Sequence, residues 1–274
     1  MAQHNIKFIA TDMDGTLLDK DGRLPPDFFD VFQQLEQRDI MFAAASGRQY
    51  YSLLQTFSSV KDRMMFIAEN GTLVMHQGKE LYSCTIDIDS IHRIIKEARL
   101  IEGAHIVLCG KKSAYIETQV PEALEEIKKY YHRCNYVKDL LKVEDEFIKV
   151  AICHFDGSQK FVYPSINAKF DVDHKVVVSA KIWLDVMNIN ASKGDAIKYL
   201  QDKLKFSFEQ TMSFGDYFND IEMLQASFHS YAVENAHEKV KTYARFSAPS
   251  NFEHGVMKVI RDHLDLVDLS DPID

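Results

Sequence analysis

Short apolar runs alternate with helix-like segments at the start of this chain. The runs are KFIAT (7–11), MFAAA (41–45) and MFIAE (65–69), and helical patterns fill residues 25–39 and 47–57 between them. This alternation is typical of a parallel sheet covered by helices. The same rhythm returns after Asn190, beginning with the helical segment KGDAIKYLQDKL. We therefore predict an α/β fold whose sheet is mainly parallel.

The middle of the chain has a different pattern. Strand-like segments such as HIVLC (105–109) and EFIKVAICHF (146–155) alternate there with amphipathic helical segments, which favours an antiparallel α+β region. No Pro-, Gly- or Ser-rich linker separates it from its neighbours. We predict a discontinuous α/β domain at residues 1–83 and 189–274, with an inserted α+β domain at residues 84–188.

Composition excludes several classes of function. The 274-residue chain carries a formal net charge of -9, which gives no basic footprint for nucleic acid or for a membrane surface. No apolar run approaches the ~18 residues of a membrane span, and the first residues do not resemble a signal peptide. Four scattered cysteines favour reduced core thiols over disulfides or a zinc site. We expect a soluble, cytoplasmic protein.

Polar residues follow the predicted strands where an open parallel sheet binds its ligands. Such sheets bind ligands at the carboxyl ends of their strands. Each of these places alone has an ordinary explanation, such as an exposed turn, a helix N-cap or a solvated lysine. The places are Asp12 with Asp14, then Ser46, Gly47 and Arg48, then Lys193, and finally Asp216 with Asn219 and Asp220.

Together these residues indicate a site for a metal and a phosphate. Several carboxylates can converge only if a cation lies among them, and oxygen-only ligands favour Mg²⁺ over zinc. A lysine, a serine hydroxyl and glycine-rich turns that present backbone N–H groups can bind phosphoryl oxygens. The sequence therefore predicts Mg²⁺-assisted phosphoryl chemistry.

Four segments resemble the ordered motifs of the haloacid dehalogenase (HAD) superfamily. They are DMDGT (12–16 within TDMDGT), SGR (46–48), Lys193 in ASKGDAI, and GDYFND (215–220). The inserted region resembles the type IIB (C2B) cap of the Cof-like sugar phosphatases, and ENG (69–71) and SNFEHGV (250–256) are also similar to that subfamily. The resemblance implies a Rossmann-like core with an inserted cap.

The resemblance also implies catalytic roles. Asp12 would attack phosphorus to form an aspartyl phosphate, and Asp14 would protonate the leaving alkoxide and then deprotonate water. Mg²⁺ would be held by the Asp12 carboxylate, the Asp14 backbone carbonyl and Asp216, with Asp220 as a supporting ligand.

The remaining residues of the motifs would bind the substrate. By the same resemblance, Ser46 and Lys193 would bind the transferring phosphoryl group, the Gly47 turn would lie beside it, and Asn219 would help orient it. Arg48 has two possible roles, contact with substrate or pairing with an acidic neighbour.

We therefore expect a Mg²⁺-dependent phosphatase of small phosphorylated metabolites, as a monomer or small homo-oligomer. By the same resemblance, hexose phosphates are the leading substrate class, and pyridoxal phosphate and flavin mononucleotide are further candidate substrates. A phosphomutase, which would yield isomerised sugar phosphate, and a non-catalytic phosphometabolite sensor are the alternatives. The cap should exclude water and select the leaving group. No cap residue is assigned to substrate, and Trp183 is predicted to pack in the core.

Overall fold

The computed structural model describes residues 5–267, whose strands form two sheets. In chain order the strands are β1 (Phe8–Thr11), β2 (Met41–Ala45), β3 (Met65–Ala68), β4 (Leu73–His76), β5 (Lys79–Ser83), β6 (His105–Gly110), β7 (Ala114–Ile116), β8 (Cys134–Tyr136), β9 (Phe147–Cys153), β10 (His174–Ala180), β11 (Trp183–Asn188), β12 (Thr211–Gly215), β13 (His229–Val233) and β14 (Phe246–Ala248).

The helices of the same residues cover these sheets. They are α1 (Phe28–Gln37), α2 (Tyr50–Thr56), α3 (Ile88–Ala98), α4 (Pro121–Lys128), α5 (Ser158–Phe161), α6 (Tyr163–Phe170), α7 (Lys193–Leu204), α8 (Ile221–Gln225), α9 (Glu238–Lys241) and α10 (Gly255–Leu264). No helix among them is both long enough and apolar enough to cross a bilayer.

The larger sheet is mainly parallel, as predicted. Its strand order is β14-β13-β12-β1-β2-β3-β4-β5, with parallel pairing from β14 to β3 and an antiparallel hairpin at β4 and β5. All four residues of β1 are buried because both faces of a parallel sheet are covered. The central position of β1 puts the residues that follow it at the middle of one sheet edge.

The smaller sheet has the order β10-β11-β9-β6-β7-β8 and is antiparallel except between β7 and β8. On one of its faces, residues such as Val150 and Leu184 pack with Ile94 of α3 and Ile166 of α6. Every described strand between residues 84 and 188 belongs to this sheet. The division into a core and an inserted domain at residues 84–188 stays a prediction, and residues 1–4 and 268–274 of the predicted core lie outside the described residues.

Three local features differ from the sequence-based prediction. The segment PEALEEIKKYYHRC (121–134) has a pattern that predicts one helix, but α4 ends at Lys128. The Arg133 carbonyl instead accepts a 3.0 Å hydrogen bond from the backbone N–H of Ala114. The strands β8 and β14 were not predicted, because three residues are too few to show an alternating pattern.

All four cysteines are free, as predicted.

Candidate active site

Neighbouring strands bring the predicted acids together. Asp12 follows β1 and Asp216 follows the adjacent parallel strand β12, where the Asp12 N–H donates to the Phe214 carbonyl at 2.9 Å. Asp12, Asp216 and Asp220 each offer a carboxylate oxygen, and these oxygens lie within 4.8 Å of one another. The predicted convergence of these three acids is therefore observed.

Gly15 allows the chain to turn tightly beside Asp216. Its φ of 86° lies in the left-handed region, and a Cβ added there would lie 2.5 Å from Asp216 Oδ2. The next residue, Thr16, donates its hydroxyl hydrogen to Asp216 Oδ1 at 2.9 Å. The DGT segment therefore both makes room for Asp216 and orients it.

Lys193 is a fully buried cation at the centre of the acidic group. It is the first residue of α7, which Ser192 caps by accepting the Asp195 N–H at 2.9 Å. Lys193 Nζ lies 2.5 Å from Asp12 Oδ1 and 2.7 Å from Asp220 Oδ1. Burial lowers the pKa of Lys193, but the attraction of these two carboxylates outweighs burial and raises it. The amine is therefore protonated at neutral pH.

The acids fit a hard cation. Burial raises the pKa of Asp12 well above its ordinary value, although Lys193 opposes that shift. Burial, and then repulsion by Asp220, raises the pKa of Asp216 to about 6. One lysine thus faces three carboxylates, so their ionised forms are incompletely compensated. An all-oxygen set of this kind suits Mg²⁺.

Asp220 is the acid that the protein itself satisfies most fully. Its Oδ1 accepts from Lys193, and its Oδ2 accepts the backbone N–H groups of Asp216 at 3.0 Å and Tyr217 at 3.1 Å. Both of its oxygens are therefore engaged. This arrangement favours a supporting role for Asp220 over direct binding of a metal.

Asp14 and Arg48 pair with each other at the mouth of the site. Arg48 Nη2 lies 2.5 Å from Asp14 Oδ1, and Arg48 Nε lies 2.8 Å from Asp14 Oδ2. The Asp14 side chain is exposed and lies apart from the cluster of three acids. Of the two roles considered for Arg48, the structure contains the pairing with an acidic neighbour.

The SGR turn and Asn219 meet at Asn70. Ser46 is buried; its Oγ accepts the Arg48 N–H at 3.1 Å, and its carbonyl accepts the Asn70 N–H at 2.9 Å. Asn219 Nδ2 donates to Asn70 Oδ1 at 3.0 Å, and a Cβ on Gly47 would lie 3.1 Å from that same oxygen. Asn70 is a site residue to which the sequence analysis gave no role.

A second layer of asparagines holds the turn after β1. Asn235 Nδ2 donates to the Gly15 carbonyl at 2.7 Å, and Asn251 Nδ2 donates to the Leu18 carbonyl at 2.8 Å. The Asn251 N–H in turn donates to Asn235 Oδ1 at 3.1 Å. The SNFEHGV segment therefore acts on the catalytic turn through hydrogen bonds.

One cavity of about 570 Å³ joins this group to the smaller sheet. Trp183, predicted to pack, is 5% exposed and contacts the rings of Tyr130 and Tyr131, and it also lines the cavity. None of the cap residues in the cavity wall was predicted from the sequence to bind substrate. Two of them, Lys149 and Asp185, could have been found as charged residues inside apolar strand patterns. The cap residues that line the cavity are Tyr130, Tyr131, Lys149, Val177, Val178, Ser179, Ala180, Trp183 and Asp185.

We predict that Asp216→Asn stabilises the metal-free protein at neutral pH. The folded-state pKa of Asp216 is about 6 and its ordinary value is 3.8, so the ionised group destabilises the fold above pH 6, and this penalty disappears as pH falls toward 3.8. In EDTA near pH 7.5 we expect a gain of about 1–2 kcal/mol in the free energy of unfolding by urea, after allowance for coupling to neighbouring acids.

Repeating the unfolding measurement at low pH, where Asp216 is protonated, supplies the control. Near pH 4 the gain from Asp216→Asn should vanish, and Asp202→Asn, at an exposed carboxylate, should change stability little at either pH. Loss of stability at neutral pH in the Asp216 variant would contradict the electrostatic description of the acidic group.

Comparison with known proteins places this arrangement in a family. Residues 9–260 match the family of haloacid dehalogenase-like hydrolases. The chain is 31% identical over 261 residues to the Escherichia coli 5-amino-6-(5-phospho-D-ribitylamino)uracil phosphatase YbjI, covering 93% of this chain and 95% of that protein.

Solved structures agree with this match. A crystal structure from Streptococcus mutans superposes with a TM-score of 0.86 at 28% identity, covering 96% of this chain and 100% of that one. A Plasmodium vivax protein described as a HAD/COF-like hydrolase superposes with a TM-score of 0.83 at 26% identity, covering 96% of this chain and 97% of that one.

Proposed function

The chain belongs to the haloacid dehalogenase-like hydrolases as a Cof-like phosphatase, and from this premise we propose that it hydrolyses small phosphate monoesters with Mg²⁺ through a phosphorylated Asp12. The observation that carries the proposal is the position of Asp12. Its carboxylate opens into the cavity while Lys193 holds one of its oxygens at 2.5 Å. A nucleophile fixed in this way is suited to attack on phosphorus.

Charge balance supports the requirement for a metal. A phosphate dianion would enter a site whose three clustered carboxylates face only one lysine cation. The Asp12 and Asp216 carboxylates, with the Asp14 backbone carbonyl, would hold Mg²⁺. When bound, Mg²⁺ would supply positive charge to offset that of the phosphoryl oxygens. Ser46 and Lys193 would bind those oxygens, and Asn219 would orient the group.

The proposed reaction has two half-reactions. A carboxylate oxygen of Asp12 attacks phosphorus, the bond from phosphorus to the ester oxygen breaks, and Asp14 gives a proton to the departing alkoxide. Asp14, now ionised, takes a proton from water as the water oxygen attacks phosphorus. The acyl phosphate bond then breaks, which returns the Asp12 carboxylate and releases inorganic phosphate.

Arg48 sets a condition on the role of Asp14. Both Asp14 oxygens are engaged by the guanidinium in the structure, at 2.5 and 2.8 Å. Asp14 must release Arg48 and carry a proton, taken from solvent or kept from the water of the preceding turnover, before it can protonate the leaving-group oxygen. We propose that substrate entry releases Arg48, because the phosphate is itself a strong partner for a guanidinium.

The cavity favours a small leaving group. Its volume of about 570 Å³ suits a metabolite rather than a macromolecule, and its wall combines polar and aromatic residues with the aliphatic Val177, Val178 and Ala180. The Escherichia coli relative is named for a substrate with a phosphorylated ribityl chain. We propose sugar and polyol phosphates as the substrate class.

The test is a panel of phosphate esters assayed for phosphate release. We predict hydrolysis of p-nitrophenyl phosphate and of several sugar or polyol phosphates with Mg²⁺, loss of activity in excess EDTA, and recovery when Mg²⁺ is restored. Hydrolysis that persists in EDTA would contradict the metal requirement. Isomerised sugar phosphate with little free phosphate would indicate a mutase, and tight binding without turnover would indicate a sensor.

A further inference from the structure

Three buried charged residues lie where the smaller sheet faces the larger one. Lys149 on β9 and Asp185 on β11 line the cavity, and Glu69 reaches them from the turn after β3. The exposed fractions are 3% for Lys149, 5% for Asp185 and 2% for Glu69. Asp185 lies opposite Ala151, two residues along β9 from Lys149, so both side chains project from one face of the sheet.

Lys149 lies closer to Glu69 than to Asp185. Its Nζ lies 2.5 Å from Glu69 Oε2 but 3.8 Å from Asp185 Oδ2, which is too far for a hydrogen bond. Burial lowers the pKa of Lys149, but the two carboxylates outweigh burial and raise it, so the lysine is a cation. Two acidic side chains thus surround one basic side chain, so this group contains one more acid than base.

The Asp185 carboxylate therefore has unused capacity to accept hydrogen bonds. Within residues 5–267, the ion pair that it forms is the long one to Lys149. A buried carboxylate without close donors is costly, and a ligand that brings donors recovers part of that cost. Trp183, two residues earlier on β11 and so on the same face, extends the same wall of the cavity.

We infer that Asp185 determines the specificity of the enzyme for its leaving group. Its carboxylate accepts hydrogen bonds from hydroxyl groups of the part of the substrate that departs as an alcohol. Because two acidic side chains face one lysine here, the site also disfavours leaving groups that end in a carboxylate. This inference rests on the proposed phosphatase function, since it concerns the far end of the same substrate.

The test compares two substrates that differ at one carbon. Glucitol 6-phosphate and 6-phosphogluconate share an open six-carbon chain, which ends in a neutral alcohol in the first and in a carboxylate in the second. The wild-type protein should prefer glucitol 6-phosphate in kcat/KM. In Asp185→Asn that preference should fall at least about 10-fold, the scale of one hydrogen bond to a charged group.

Two features of the assay keep the outcome clear. Both substrates are measured on one preparation, so a lower folded fraction cancels in the ratio of the two kcat/KM values. Asp173→Asn makes the same chemical change at an exposed cap residue and should leave the ratio unchanged. If Asp185→Asn gives no soluble protein, Asp185→Glu, which keeps the charge but displaces the oxygens, should also lower kcat/KM for glucitol 6-phosphate.

The proposal fails if the ratio of kcat/KM for glucitol 6-phosphate to kcat/KM for 6-phosphogluconate is the same in Asp185→Asn and in the wild type. It also fails if the wild-type protein prefers 6-phosphogluconate. Failure of the proposed function would look different, because the wild-type protein would then not hydrolyse p-nitrophenyl phosphate either. The control variant Asp173→Asn should hydrolyse p-nitrophenyl phosphate at about the wild-type rate, since Asp173 is exposed and does not line the cavity.

Discussion

Asp12→Asn should abolish turnover while the protein remains folded. The amide nitrogen and carbonyl oxygen of asparagine are poor nucleophiles toward phosphorus, so we expect kcat for p-nitrophenyl phosphate with Mg²⁺ to fall at least about 10⁴-fold. The fold should survive because Lys193 keeps its bond to Asp220 at 2.7 Å, and because an amide oxygen can still accept from the lysine. Stopped assays of phosphate release, with a urea unfolding curve, measure both effects.

The control for this change lies nearby in the chain. Asp21→Asn alters an exposed carboxylate shortly after the catalytic turn and should retain activity within about 2-fold, since surface changes away from a site have small effects. Substantial residual hydrolysis by Asp12→Asn would remove Asp12 from the role of nucleophile.

Lys193→Met should reduce both stability and activity. Methionine has a similar length but no charge, so Asp12 and Asp220 would lose the cation that lies 2.5 and 2.7 Å from them. Removing one partner of a buried ion pair leaves an uncompensated charge and costs about 3–5 kcal/mol in the free energy of unfolding. Activity should fall at least about 10³-fold, because the lysine also stabilises charge on the phosphoryl oxygens.

The same helix offers a matched control. Lys198 on α7 is exposed and pairs with Asp195 at 3.3 Å, so Lys198→Met should change the free energy of unfolding by less than about 1 kcal/mol. The double variant Lys193→Met with Asp220→Asn should recover part of the lost stability, because one of the two stranded charges is gone. No recovery, or a single-variant loss no larger than that of Lys198→Met, would contradict the role of Lys193 as a buried counter-ion.

The sequence was sufficient to predict the α/β fold class and the convergence of Asp12, Asp216 and Asp220, whereas their roles toward phosphate stay predictions. Apolar runs such as MFAAA mark buried parallel strands, and the polar residues just past them must gather at one sheet edge. Asp12 and Asp216 come from strands that are neighbours in the sheet but about two hundred positions apart in the chain. The two residues meet because of the strand order of the sheet. Their convergence was predicted through the resemblance of the ordered motifs to those of the family.

Other contacts depend on geometry that no local pattern encodes. The sequence leaves two roles open for Arg48. Its pairing with Asp14 depends on side-chain packing, which no local sequence pattern predicts. The importance of Asp185 comes from its 3.8 Å separation from Lys149 Nζ, which is too long for a hydrogen bond and leaves the carboxylate able to accept one from a ligand. The polar positions in EFIKVAICHF and IWLDVMN were a visible signal, but their partner Glu69 lies in the turn after β3, a strand of the other sheet.

The central claim is that phosphate passes through a covalent bond to Asp12. The most direct measurement is mass spectrometry of protein quenched in acid during turnover of a good substrate with Mg²⁺, followed by digestion and mapping of the added phosphoryl group. We predict that the group is found on the peptide containing Asp12 and is absent from the Asp12→Asn variant. Steady turnover with an unmodified Asp12 peptide, or with the phosphoryl group on another residue, would contradict the claim.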